Sequence, residues 1–173
     1  MNTSAEKRPD GEYDDAEIAK GIRKAVLGYA YYSIFDGVTF AVQDGVVLLS
    51  GSTYQPWRKD AIEKRVSKVE GIRELRSEIS VQQVSFFDER IRRELAYRIY
   101  RDARFVQYGH RANSPIKILV DNGKVTLAGY VASPVEQAVL GHIARGVTNF
   151  GVENQIRVDG ESPEEPPADV SVS

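Results

Sequence analysis

A hairpin that occurs twice limits what this chain can fold into. Val38 to Gln43 runs into Asp44-Gly45 and returns as Val46 to Gly51. At an offset of 78 residues, Ile116 to Asp121 meets Asn122-Gly123 and returns as Lys124 to Gly129. A two-residue type I′ turn needs positive φ at both central positions, which Asp-Gly and Asn-Gly supply at least cost. Such a turn also sets the register. It predicts Val42 opposite Val47, Phe40 opposite Leu49, Val120 opposite Val125 and Ile118 opposite Leu127. Asp121 then faces Lys124, a favourable cross-strand charge pair. Asp44, Gly45, Asn122 and Gly123 are therefore read as turn residues. Gly51 and Gly129 end the returning strands and are read as structural too. Between positions 38 and 56, six of nineteen residues recur identically 78 positions later, which argues for a duplicated unit.

The flanks of each hairpin follow one order. Asp14 or Asp15 can cap a helix that buries Ile18, Ile22, Ala25 and Val26. After the first hairpin Pro56 opens a second helix, with Trp57, Ala61, Ile62, Val66 and Val69 on its inner face. A strand over Arg73 to Val81 completes the unit. In the second unit Asp88 starts a helix with Ile91, Leu95, Ile99 and Ala103 inward. Ser133-Pro134-Val135-Glu136 is a capping box with proline at the first helical position. Its helix is expected to bury Val135, Val139, Leu140, Ile143 and Val147, and a strand over Gly151 to Val158 closes the chain's ordered part. The reading is α+β: two tandem αββαβ repeats, each a three-stranded mixed sheet packed against two helices. It divides the chain into a polar segment 1–14, a first domain 15–81, a linker 82–87, a second domain 88–158 and a disordered acidic tail 159–173.

Charge and composition exclude several classes of function. With no cysteine there is no disulfide, thiolate metal site or cysteine nucleophile. His110 and His142 are the only imidazoles and neither has a motif partner, so no metal and no cofactor are expected. Ser133 is accounted for as a helix cap, which leaves no catalytic constellation and points away from an enzyme. No GxxG loop lies between paired helices, so nucleic acid is not expected as a partner. No apolar run can span a bilayer, and Met1 to Glu17 has no signal-peptide core. The formal charge of −2 hides an asymmetry: residues 82–158 carry +4, whereas the last fifteen carry −5.

Two candidate surfaces lie in this basic second repeat. Arg90, Arg93, Tyr97, Arg101 and Arg104 fall on the side of its first helix opposite the apolar stripe. Guanidinium groups around a tyrosine suit lipid phosphates, with the ring at headgroup level. The second repeat is also five residues longer than the first between helix and hairpin. The extra residues fall near Tyr108, His110 and Arg111, read as a candidate binding loop.

The two "DGxVxLxG"-type hairpins in αββαβ order, with the Val69-Glu70-Gly71-Ile72 entry and the Glu78-Ile79-Ser80-Val81 ending, resemble tandem BON domains. Over residues 15–158 the resemblance implies a non-enzymatic module of the bacterial periplasm or cell envelope. It implies binding to anionic phospholipid surfaces in support of envelope integrity or osmotic stress tolerance, or alternatively to an envelope protein as a scaffold. Some tandem members use the first helix of the second domain for anionic lipid.

Removing Glu161 to Ser173 is expected to leave the melting temperature almost unchanged, since the segment has too little apolar surface to bury. Scanning calorimetry of the shortened chain checks this, and a large loss of stability would contradict it.

Overall fold

The computed structural model describes residues 13–83, 85–111 and 113–159. The polar start through residue 12 and the tail from residue 160 lie outside the described residues. The chain divides into two units, Met1–Gln82 and Gln83–Ser173.

In the first unit α1 (Asp15–Leu27) leads to the hairpin β1 (Gly37–Gln43) and β2 (Val46–Thr53), then α2 (Pro56–Val66), β3 (Glu74–Ser77) and β4 (Ser80–Val81). β1 and β2 are antiparallel, with Val42 opposite Val47 and Phe40 opposite Leu49 as the turn requires. β3 and β4 both run parallel to β2 on its other side. The strand expected over residues 73–81 is thus interrupted at Glu78-Ile79. The break sinks Ile79 into the core beside Ile18, Ile22, Val47, Leu49, Ile62 and Val66. Trp57, expected on the inner face of α2, is 47% exposed because it sits at the helix start, beyond the edge of that core.

The second unit has α3 (Phe86–Arg101), a short α4 (Val106–Gly109), β5 (Ile116–Asp121), β6 (Lys124–Val131), α5 (Pro134–Arg145) and β7 (Val152–Val158). β6 is central, antiparallel to β5 and parallel to β7. α3 packs on β5, and Ile91, Leu95 and Ile99 of the helix and Ile118, Val120, Val125 and Leu127 of the sheet are all buried. α4 occupies the five-residue excess and drives Phe105 into this core.

Four expectations for this unit are corrected. α3 begins two residues earlier than expected, because the Ser85 hydroxyl accepts from the Asp88 amide at 2.9 Å and caps it. It ends at Arg101, so Ala103 lies beyond it and is exposed. Val135 is 64% exposed, since the first turn of α5 overhangs the sheet. Lys124 stands opposite Asp121 in the register, yet its ammonium pairs with Glu153 on β7 at 3.0 Å.

Both turns are held by the same device. Asp44, Gly45, Asn122 and Gly123 all have positive φ, from 49° to 80°. The carboxylate of Asp15 accepts from the Asp44 and Gly45 amides at 2.8 and 2.9 Å. That of Asp88 accepts from the Asn122 and Gly123 amides at 3.0 and 2.7 Å. Each aspartate sits in the first turn of the unit's first helix, where its charge also suits the helix dipole. Gly51 and Gly129 are structural for a harder reason than turn preference: an added Cβ would lie 2.0 Å from the Gly37 carbonyl oxygen and 1.7 Å from that of Pro115.

Removing the Asp88 carboxylate leaves two amides without an acceptor in a buried place. Asp88→Ala is expected to cost about 2–3 kcal/mol, and Asp15→Ala, at a more exposed turn, about 1 kcal/mol. Urea unfolding of both variants measures this; equal, negligible losses would rule out the role.

Candidate functional site

The outer face of α3 carries the arginines. Spacings of three and four residues place Arg90, Arg93, Tyr97 and Arg101 in one stripe, because the inward positions are taken by Ile91, Leu95 and Ile99. Arg90, Arg93, Glu94 and Tyr97 line an open hollow of about 400 Å³. The Arg93 side chain is 73% exposed and lies 3.7 Å from Glu89. Glu94 is engaged by Arg98 at 2.6 Å, an i,i+4 pair. Arg101 bonds the Tyr97 hydroxyl and lies over its ring, 5.0 Å from the centroid. Among the described residues neither Arg90 nor Arg101 is ion-paired.

An apolar tip borders the arginines at the helix start. Phe86 is 98% exposed, Phe87 40% and Phe150 65%. Phe87 and Phe150 meet edge to face at 5.4 Å, closing over Gly123 at the hairpin turn. Arg90 lies over the Phe87 ring, 5.5 Å from its centroid. Cation and apolar ring therefore sit side by side, charge above a surface that water solvates poorly. None of these three phenylalanines was among the sequence candidates, and Phe150 joins the tip only through the sheet. The usable signal was Phe86-Phe87 immediately before a helix whose polar face is arginine.

Two expected members do not belong to this surface. Arg104 lies past the end of α3, and its guanidinium forms two bonds to the Asp102 carboxylate, at 2.8 and 2.6 Å. Those bonds hold the Asp102 carboxyl down at about 2. Tyr108 is not a loop ligand: it is 2% exposed. Its hydroxyl donates to Glu136 at 2.9 Å and accepts from the Ala132 amide at 3.0 Å, tying α4 to the start of α5. Burial pushes its pKa above the usual tyrosine value. The same Glu136 carboxylate accepts from the Ala132 amide at 2.9 Å, one residue earlier than the capping box predicts. His110 and Arg111 are exposed, with Arg111 over the Tyr108 ring at 5.2 Å.

The first unit offers a different surface. Tyr31 and Trp57, 62% and 47% exposed, meet edge to face at 5.4 Å, and Tyr29 meets Tyr31 at 5.7 Å. Arg58 beneath Trp57 is committed to the buried Asp36 at 2.6 Å, and Asp36 also accepts from the Ser33 and Tyr54 amides. Among the described residues no group of His, Asp and Glu side chains is placed to hold a metal ion. No described helix is long and apolar enough to cross a membrane.

Because Asp102 already neutralises Arg104, Arg104→Ala is expected to leave any binding by the α3 face nearly unchanged while raising the Asp102 pKa from about 2 toward 3.8. The sign follows from the depressed value: this pair favours the folded state above the ordinary carboxyl pKa, and the contribution fades as pH falls toward 2. A carboxyl-detected NMR titration of both proteins reads it; identical Asp102 midpoints would refute the pairing.

The BON domain family model matches residues 14–83 and again residues 89–160. Among solved structures, the C-terminal domain of CdsD, the structural protein of the type III secretion system of Chlamydia trachomatis, is similar at 12% identity, over 84% of this chain and 67% of that one, with a TM-score of 0.35. A second CdsD structure is similar at 11% identity, over 80% and 90% of the two chains, with a TM-score of 0.30. At those scores neither likeness bears on function. Among curated proteins none matches. BON domains are generally non-catalytic binding modules associated with the envelope. Matched in both repeats over most of its length, the chain belongs to the BON-domain family.

Proposed function

We propose that the chain is a non-enzymatic module of the bacterial envelope that associates weakly with anionic phospholipid surfaces through the outer face of α3, supporting envelope integrity or stress tolerance. The observation that carries this reading is Arg90 set against the exposed tip of Phe86, Phe87 and Phe150 at the head of a stripe that continues along α3 through Arg93, Tyr97 and Arg101. Headgroup phosphates take the guanidinium groups, and the phenylalanine rings enter the acyl boundary just below. Arg104, Tyr108, His110 and Arg111 have no part in it. Each basic residue near an anionic surface contributes about 1 kcal/mol, so three contribute about 3 kcal/mol. Burial of one phenylalanine adds about 2 kcal/mol. A total near 5 kcal/mol corresponds to a dissociation constant on the order of 0.1 mM, a peripheral and reversible contact.

A second reading, a scaffold for an envelope protein, is favoured by the exposed Tyr31–Trp57 pair in the first unit. Aromatic rings of this kind are common anchors at protein interfaces.

Arg93→Glu combined with Arg101→Glu is expected to abolish pelleting with anionic vesicles, since it removes two cations and adds two acids, about 4 kcal/mol. Phe86→Ala is expected to weaken pelleting without changing its salt dependence. Wild-type pelleting should fall steeply toward physiological salt, where screening acts over about 8 Å. Circular dichroism controls for folding. Wild type failing to pellet at low salt, or the double variant pelleting as well as wild type, would sink the lipid reading and leave the Tyr31–Trp57 surface as the leading one.

A further inference from the structure

Among the described residues the two sheets have four edges, and three of them are obstructed. An edge strand presents a row of amides and carbonyls that a further chain can pair with, unless side chains claim them or the strand is short and charged. β7 turns the Ile156 amide and carbonyl outward. The amide donates to the Asn154 side-chain oxygen at 3.3 Å, and the carbonyl accepts from the Gln137 side chain at 2.5 Å. On β5 the buried Arg92 donates to the Val120 carbonyl at 2.6 Å, and the Ile116 amide donates to the Ser114 hydroxyl at 3.4 Å. At the far edge of the first sheet, β3 and β4 are short, split and marked by the Glu74–Arg76 ion pair.

The remaining edge is β1. In an antiparallel hairpin alternate residues bond across the ladder, and the others turn their amides and carbonyls outward. The two-residue turn makes Gln43 and Val46 a bonded pair, so Val38, Phe40 and Val42 are turned outward. The Val38 amide donates to the Tyr32 hydroxyl at 3.1 Å. No bond from the described residues reaches the Phe40 or Val42 groups or the Val38 carbonyl on this edge. The cause lies in the helix. Asp15 and Asp88 hold their turns alike, which aligns α1 with α3 at an offset of 73 and puts Ala19 where the second unit has Arg92. A methyl group cannot cap a carbonyl. β1 also has neither proline nor a charged residue. Its Val38, Phe40 and Val42 side chains are only partly buried, whereas their counterparts Ile116, Ile118 and Val120 are fully buried.

We infer that the β1 edge takes up an extended segment of a partner protein as an added strand, with apolar residues at alternate positions and an acid among them. Main-chain pairing uses the open groups of Val38, Phe40 and Val42, and the partner's apolar side chains continue their half-covered row. The acid follows from Arg23. Its guanidinium lies over the Phe40 ring, 5.7 Å from the centroid, on the helix side of the edge, and among the described residues no carboxylate pairs with it. Lys20, also exposed, stands one turn earlier on the same helix. A second copy paired β1 to β1 about Phe40 would set Arg23 against Arg23, and that repulsion disfavours it. The inference gives the scaffold reading a site of its own and owes nothing to the lipid reading.

The test uses the full chain and the peptide acetyl-Thr-Val-Thr-Glu-Thr-Val-Thr-amide, which carries valine and glutamate on one face. In the free protein the Phe40 and Val42 amides should exchange with solvent quickly, and those of Thr39 and Ala41, bonded to β2, slowly. At millimolar peptide, NMR should show saturable shifts along Val38 to Val42 and slowed exchange at Phe40 and Val42. Two further peptides are N-methylated at alternate residues, one at valine and glutamate, the other at the threonines. Only one of them should lose binding, by about tenfold or more, since a strand offers β1 every second amide. Ala19→Arg, which supplies the missing cap, should weaken binding by a similar factor. Arg23→Glu should reverse the preference for this peptide over one with lysine in place of glutamate. Circular dichroism controls for folding. No shifts at millimolar peptide, equal binding by the two methylated peptides, or undiminished binding by Ala19→Arg overturns the strand site. Shifts centred on Tyr31 and Trp57 overturn it too, and leave the scaffold reading resting on that pair. Phe40 and Val42 amides that are protected in the free protein and released on dilution make the occupant a second copy and overturn the partner. No lipid is present, so the vesicle experiment stands or falls separately.

Discussion

Each unit depends on one bidentate grip, a first-turn aspartate closed on the two central amides of its hairpin. A type I′ turn turns both amides inward, toward the helix that crosses behind it. Asp15 and Asp88 meet them with a carboxylate that has an oxygen for each. The contact spans about thirty residues of sequence in either unit. It fixes where the helix begins relative to the sheet, and with that the rotation of every side chain on the helix. In the second unit the rotation that puts Ile91, Leu95 and Ile99 on the sheet sends Arg90, Arg93, Tyr97 and Arg101 outward. The candidate surface is a by-product of the grip that builds the core.

Much of this was legible in the chain because it is local or periodic. The Asp-Gly and Asn-Gly turns dictated the registers of both hairpins residue by residue. The spacing of Ile91, Leu95 and Ile99 dictated which side of α3 is wet. What escaped depends on contacts between segments far apart in sequence. Asp15 and Asp88 read as helix-start residues, and nothing in their neighbourhood says that two amides across the unit will claim them. Lys124 had an acid opposite in register, but Glu153 on the adjacent strand competes for the ammonium and wins. The five-residue excess read as a candidate binding loop, yet Phe105 and Tyr108 are buried against the core. Arg104 looked like a member of the stripe until a carboxylate two residues away folded back on it.

The two repeats share one frame and have spent their surfaces differently. In the first, a buried ion pair of Asp36 with Arg58 stands at the start of α2, and the exposed aromatic residues gather above it. In the second, position 36 is matched by Ser114, which bonds Tyr100 instead, and the exposed aromatic residues gather at the hairpin turn beside arginine. Duplication supplies two copies of a fold at no cost in novelty. Divergence at a handful of solvent-side positions then gives the copies different chemistry, apolar and aromatic on one, cationic and aromatic on the other.

The grip on the second turn also bears on how the protein ages. An Asn-Gly pair is especially labile toward deamidation, because the glycine nitrogen can attack the asparagine side-chain carbonyl, expel the side-chain nitrogen as ammonia and close a five-membered imide that water then opens to a carboxylate. Ring closure needs that nitrogen to shed its proton and the backbone to rotate. In the folded unit the Gly123 N–H is committed to Asp88 at 2.7 Å, and Asn122 is locked at a φ of 49°. The attacking atom thus keeps its proton bonded to Asp88 for as long as the hairpin stays closed, and it is freed whenever the unit opens. Mass spectrometry of protein stored native and stored in urea would register the difference as a one-dalton gain confined to the unfolded sample. Asn122 is then a clock that runs only while the domain is unfolded, recording the accumulated time each molecule has spent open.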